Sequence, residues 1–138
     1  VGIANILFGI DIHSNKLKIK KMKGIDKKLD DAWSLAVKTR AGFKCEVCGS
    51  TDKQLNSHHI VGRTNRMTRW EVRNGVCLCV AHHKFGKQSA HEDPLWFTEW
   101  LGKNRKNDVE YINGIKNSIK KWRLEEKEEL LKQLKQIK

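Results

Sequence analysis

The sequence predicts a small α+β fold, a stapled ββα finger flanked by helices, and three observations carry that expectation. Apolar residues Leu29, Ala32, Trp33, Ala36 and Val37 recur at helical spacing. Two short strands follow, Leu55 to Ile60, ending at two histidines, and Gly75 to Val80, of alternating character, separated by an irregular basic loop. Cys45-Glu-Val-Cys48 precedes the first segment, and Cys79-Val-Ala-His82 overlaps the end of the second. Together these pairs supply four soft ligands in the two-by-two spacing of a structural zinc site. A chain of 138 residues is one domain by length. So few strands bury little apolar area, so the metal staple should matter to folding.

The elements follow in chain order. Residues 1–24 read as a basic N-terminal extension, loosely ordered, and Met22-Lys-Gly resembles a natural start. Roughly Lys27 to Thr39 is an amphipathic helix with Trp33 in the core, ended by Ala41-Gly42. Val61 to Arg73 is a loop, and Ala81 to about Gln88 a helix with His82 and His83 in its first turn. Asp93 and Pro94 mark the next helix start, N-cap then N1, running to about Leu101 and stopping at Gly102. Trp96, Phe97, Trp100 and Leu101 read as a clamp on the core, because i, i+4 apolar pairs usually pack inward. Lys103 to Asp108 is a polar linker. Residues 103–138 close the chain as a basic amphipathic C-terminal helix from Val109 onward. Its stripes are Ile112, Ile115, Ile119 and Trp122, then Leu130, Leu134 and Ile137, and its far end is a candidate homodimer contact. The body between, residues 25–102, holds the motifs.

The net charge is +12 and the pI about 9.7, which point to a polyanionic partner. Between Asn56 and Lys87 the only acid is Glu71, so the basic excess sits on the motifs. Arg63, Arg66, Arg69, Arg73, Lys84 and Lys87 are candidate DNA contacts, since phosphates are met mostly by Arg and Lys. Arg69 or Arg73 could equally pair with Glu71 or another acid. The lysines from Lys16 to Lys23 could form a DNA-binding tail. The cysteines do not resemble a secreted disulfide framework. Val1 to Ile10 is apolar but too short to span a bilayer, so no membrane association and a reducing, cytoplasmic setting are expected.

Once Cys45, Cys48, Cys79 and His82 are assigned to zinc, His58, His59, Asn74 and His83 are left over. Cys77 could replace Cys79, but Cys79 keeps the two-residue gap, and Cys77 suits a small buried hydrophobe. The structural role as a turn cap before Asp93 is favoured for His91, with a third metal ligand as its other reading. His13 lies outside every motif.

The leftover set resembles the HNH endonucleases of the His-Me-finger group, over about Cys45 to Lys87. Within that group His59-Ile-Val-Gly-Arg63, Thr68-Arg-Trp-Glu-Val-Arg-Asn74 and Cys79-x-x-His82-His83 resemble the recombination endonucleases of lambdoid phages, the NinG/Rap family. The resemblance implies a zinc-stapled ββα-metal finger and roles for particular residues. His59 would be the general base, His58 and His83 would bind a catalytic divalent ion, and Asn74 would hold the loop carrying His59. His82 departs from the pattern, standing where many members have Cys; a Cys₃His site is still a normal zinc site. The products implied are 5′-phosphate and 3′-hydroxyl ends, and a phage or prophage origin fits.

Elementary chemistry agrees with these roles. A divalent cation stabilises charge that builds on phosphate and leaving oxygens. An imidazole titrating near neutrality can take a proton from water. Mg²⁺ or Mn²⁺ is expected at the catalytic site, although two imidazoles would also accept Zn²⁺ or Ni²⁺. The alternatives are a non-catalytic zinc-finger DNA-binding module, and an HNH nuclease of genome packaging or homing.

Overall fold

The computed structural model describes residues 6–7 and 10–138 and has α+β architecture. Two short strands, β1 (Ile6–Leu7) and β2 (Ile10–Asp11), pair antiparallel ahead of the long helix α1 (Ile12–Arg40). Asp11 caps α1, its carboxylate accepting from the N–H groups of His13 and Ser14 at 3.0 and 3.3 Å. Past Arg40 the chain turns through Gly42, whose φ of 63° lies in the left-handed region open to glycine.

Strands β3 (Leu55–His59) and β4 (Gly75–Cys79) form the central antiparallel pair, with Leu55 opposite Cys79 and His59 opposite Gly75. β4 is buried throughout. Its side chains alternate between faces, so it belongs to both halves of the core. Cys77 packs with Leu29, Trp33, Val37 and Trp70 on the α1 side. Val76 and Leu78 pack with Phe97 and Leu101 on the other. Full burial of side chains such as Leu78 contributes about 1.5–3 kcal/mol each.

Gly75 is dictated by its neighbours. A Cβ there would lie 2.2 Å from Val37 Cγ2 and 2.8 Å from the Trp33 ring. Because no side chain stands opposite His59, Trp33 can lie flat against the His59 ring, centroids 3.8 Å apart and planes 9° from parallel.

Beyond the sheet come α2 (Pro94–Asn104), α3 (Lys106–Ile115) and α4 (Leu124–Lys135). Asp93 caps α2 as expected, accepting from the Trp96 N–H at 3.1 Å. α4 folds back on α1, burying Leu134 and the aliphatic stem of Lys127. The Lys127 ammonium pairs with Asp26 and lies 5.3 Å over the Trp70 ring.

Four expectations need correction. The first helix does not begin near Lys27: residues 12–24, expected as a loose extension, are turns of α1, capped by Asp11. Residues 1–5 and 8–9 lie outside the described residues. The helix expected over residues 81–88 is a single π turn, Ala81–Phe85, closed by the Gly86 N–H to the Ala81 carbonyl at 2.8 Å. The C-terminal region is two helices rather than one, because residues 116–123 are tied to the basic loop. Asn65 Nδ2 donates to the Lys116 carbonyl at 2.7 Å, and Trp122 Nε1 to the Arg66 carbonyl at 2.9 Å. Ile119 is thereby left 91% exposed, and Leu134, expected to serve a second copy, packs within the chain.

The fourth correction concerns the polar linker. Arg105 and Asp108, at the junction of α2 and α3, are buried. Arg105 Nε meets Asp108 Oδ2 at 2.6 Å, and its Nη1 meets Glu46 Oε1 at 2.8 Å and the Gly75 carbonyl at 3.1 Å. Arg40 reaches Asp108 from α1 at 2.7 Å. One guanidinium thus joins the Cys45–Cys48 turn, the start of β4 and the helix junction.

Candidate metal centres and active site

Two clusters of metal-ligating side chains stand out among the described residues: Cys45, Cys48, Cys79 and His82, and His58, His83 and His91. The first is built by a tight turn and the sheet end. The Gly49 N–H bonds the Cys45 carbonyl at 2.7 Å, the Cys45 N–H bonds the Ser50 carbonyl at 3.0 Å, and Gly49 takes a φ of 70°. That turn faces Cys79, the last residue of β4, and His82 in the π turn. Cys79 Sγ and Cys45 Sγ lie 3.3 and 3.8 Å from His82 Nδ1, and Cys48 Sγ lies 3.9 Å from Cys79 Sγ.

Bond lengths of ~2.3 Å to sulfur and ~2.0 Å to nitrogen give tetrahedral edges of about 3.5–3.8 Å. The cluster therefore has the size and the donor set of a zinc site. Burial resists ionisation of Cys45, but the N–H groups of Cys79, Cys48 and Val47 outweigh it and lower its pKa. Cys48 is lowered by the Ser50 N–H, yet burial and the neighbouring Cys45 and Cys79 carry it upward. Thiols this close compete to ionise, and a dication removes the conflict. Cys77 is not in the cluster. It is fully buried, and burial foremost, with the charges of Glu46 and Cys45, pushes its thiol up to about 11.

The second cluster is made of imidazoles. The ring centroids of His58 and His83 are 5.4 Å apart, those of His58 and His91 5.1 Å, and those of His83 and His91 4.8 Å. One ring nitrogen from each lies within 4.8 Å of the others. Burial, then the charges of His83, His91 and His59, lowers His58 to about 4. Burial, His91 and Lys84 lower His83 as well. A neutral imidazole keeps the lone pair that metal binding requires.

His91 is the residue the sequence left unplaced. The chain after the π turn folds back on it, with the Ala90 N–H on the His82 carbonyl at 2.8 Å and the His91 N–H on the His83 carbonyl at 3.2 Å. These bonds set the His91 ring beside His83. The turn before α2 is capped instead by Ser89, whose Oγ accepts from the Glu92 N–H at 3.2 Å. An i, i+8 histidine pair has no sequence signature of its own, since neither helix nor strand brings such residues together.

His59 ends β3. Its Nε2 donates to the Arg69 carbonyl at 2.9 Å, and its ring lies flat on Trp33. Burial lowers its pKa, opposed by the Arg69 carbonyl and the charge of Asp30. Asn74 is fully buried. Its Oδ1 accepts from the Val61 N–H at 2.8 Å, and its Nδ2 donates to the carbonyls of Val61 at 2.9 Å and Thr68 at 3.0 Å. One amide therefore closes the loop from Val61 to Thr68.

The basic candidates divide. Arg63, Arg66, Arg73, Lys84 and Lys87 are exposed. Arg73 also lies 4.4 Å over the Tyr111 ring. Arg69 is not free: its Nε and Nη2 bind the two oxygens of Asp30 at 2.9 and 2.7 Å. Such a bidentate pair uses the face a phosphate would need, so Arg69 is removed from the candidate DNA contacts.

A scan against family models and searches of curated proteins and of solved structures found no match to this chain. No helix among the described residues is long and apolar enough to cross a membrane.

Proposed function

We propose that this chain is a metal-dependent DNA endonuclease of the HNH kind, hydrolysing phosphodiester bonds to 5′-phosphate and 3′-hydroxyl ends. One observation carries the reading. Three imidazoles converge at the end of β3, where the adjacent residue is a fourth imidazole hydrogen-bonded to a backbone carbonyl. A DNA-binding zinc module needs none of these groups, although the net charge and the Cys₃His cluster would suit it equally.

His58, His83 and His91 would hold a divalent cation, with the remaining positions open to phosphate and water; the resemblance implies Mg²⁺ or Mn²⁺, whereas three imidazoles with no carboxylate suit Zn²⁺ or Ni²⁺ better. When bound, that ion supplies stabilisation of the charge developing on the phosphate and leaving oxygens. His59 donates from Nε2 to a backbone carbonyl, so in its neutral form Nδ1 carries the lone pair that accepts a proton from the attacking water. Asn74 keeps the loop that bears the Arg69 carbonyl closed. Arg63, Arg66, Lys84 and Lys87 would track the DNA backbone, with binding that weakens as salt rises. The Cys₃His cluster would hold a structural Zn²⁺ and take no part in the chemistry. The likeness to the lambdoid recombination nucleases favours branched DNA of a phage or prophage, in a cytoplasmic setting.

Nicking of supercoiled plasmid with Mg²⁺ or Mn²⁺ tests the reading, with four-way junction and linear duplex DNA alongside. The wild type should nick. His59→Ala should lose about 10²–10⁴-fold in rate while keeping its zinc and its fold. Retarded migration of DNA without cleavage under every metal would instead support the binding module.

A further inference from the structure

The loop residues 69–71 are gripped by one face of α1. Asp30 receives three side-chain donors: Arg69 Nε at 2.9 Å, Arg69 Nη2 at 2.7 Å and Trp70 Nε1 at 2.8 Å. Trp33 lies three positions on, hence on the same helix face. Its Nε1 donates to the Glu71 carbonyl at 2.9 Å while its ring stacks on His59. The carbonyl that meets His59 Nε2 belongs to the peptide joining Arg69 to Trp70. Both side chains flanking that peptide are tied to one carboxylate. The peptide cannot turn its carbonyl away from His59 without breaking charge-assisted hydrogen bonds. Neither Asp30 nor Trp33 lies within the Cys45–Lys87 segment that carries the motifs.

We infer that Asp30 is a positioning residue for His59, acting through the Arg69–Trp70 peptide to hold the imidazole in the tautomer that leaves Nδ1 free. The tautomer follows from geometry alone; its consequence for catalysis rests on the nuclease reading above. Asp30 touches no reacting atom in this scheme. It also withholds Arg69 from DNA, so removing the carboxylate should release a cation to the substrate while disordering the base. Turnover should then fall without any loss of DNA affinity, a split that simple destabilisation does not produce.

The test pairs a spectroscopic reading with kinetics on the full chain, for wild type, Asp30→Ala and Asp30→Asn. Long-range ¹⁵N–¹H correlation spectra above neutral pH should show wild-type His59 as a single Nε2–H tautomer. Asp30→Ala should show averaging between tautomers, and its nicking kcat should drop about 10–100-fold with KM unchanged or lower. Asp30→Asn keeps an acceptor for Trp70 and should recover much of both signals. A single Nε2–H tautomer retained in Asp30→Ala would overturn the inference, as would a wild-type ring protonated at Nδ1. Loss of the tautomer with unchanged kcat would overturn its catalytic consequence. If Asp30→Ala does not fold, the double variant Arg69→Met, Trp70→Phe removes the donors instead and is read the same way. A wild type that never nicks DNA would sink the nuclease reading, and the tautomer spectra would still judge Asp30.

Discussion

The two histidine-bearing clusters are built from neighbouring pieces of chain, yet they differ in kind. His82 and His83 are consecutive, and one belongs to each. The Cys₃His cluster is closed by four protein ligands, three of them sulfur, and sits between a tight turn and a buried strand. The three-histidine cluster has no acid or thiol, and His91, its outermost member, is exposed. A closed, thiolate-rich set suits an ion that holds a fold together; an open imidazole set suits an ion that must receive substrate. The π turn at Ala81–Phe85 makes the difference possible, because it sends successive side chains to two separate centres.

The largest effect should come from breaking the closed cluster. Cys45→Ser or Cys79→Ser should abolish bound zinc and the cooperative thermal transition together, since zinc binding in such sites contributes about 10–16 kcal/mol at neutral pH. Elemental analysis beside a calorimetric scan checks this. A variant that melts cooperatively without zinc would remove the structural role.

Arg105→Ala should extend the damage to the region around that cluster. It strips buried partners from Glu46 and Asp108, so a loss of about 3–5 kcal/mol in denaturant unfolding is expected. Zinc should stay bound in the molecules that remain folded. A change below about 1 kcal/mol would mean that solvent replaces the guanidinium easily.

The open cluster should answer differently. His91→Ala should leave zinc content and melting nearly unchanged but raise the Mn²⁺ concentration needed for half-maximal nicking by about tenfold or more. Equal metal dependence in wild type and variant would remove His91 from the ligand set.

Protonation gives the mildest probe. Burial and the neighbouring imidazoles hold His58 near 4, below its ordinary 6.5. Between those values the unfolded chain binds a proton that the folded chain refuses. Stability of protein freed of the exchangeable ion should therefore be full above about pH 6.5 and decline as pH falls toward 4. Melting curves across that window should slope less in His58→Gln than in the wild type; equal slopes would remove His58 as the cause.

What could be read from the sequence was local. Cys-x-x-Cys and Cys-x-x-His report their own spacing, and so the four-residue cluster was legible; Asp93-Pro94 announced α2 in the same way. The residues that escaped are those whose meaning depends on distant partners. Arg105 and its neighbour Asp108 looked like linker because the partners that bury them, Glu46 and Arg40, lie 59 and 68 positions away. Arg69 looked like a phosphate contact because Asp30 is 39 positions away on α1. His91 required a fold-back made by backbone hydrogen bonds, which any side chains could support. The C-terminal stripe looked continuous because periodicity does not register a chain pulled off its path by Asn65 and Trp122.

A stepwise chelator titration, followed by elemental analysis, circular dichroism and plasmid nicking on the same samples, tests the separation of the two centres most directly. Low EDTA should abolish nicking while one zinc per chain and the folded spectrum remain, and added Mg²⁺ or Mn²⁺ should restore cleavage. Loss of zinc, fold and activity in step at every dose would contradict the account, leaving one metal centre and no separate catalytic ion at His58, His83 and His91.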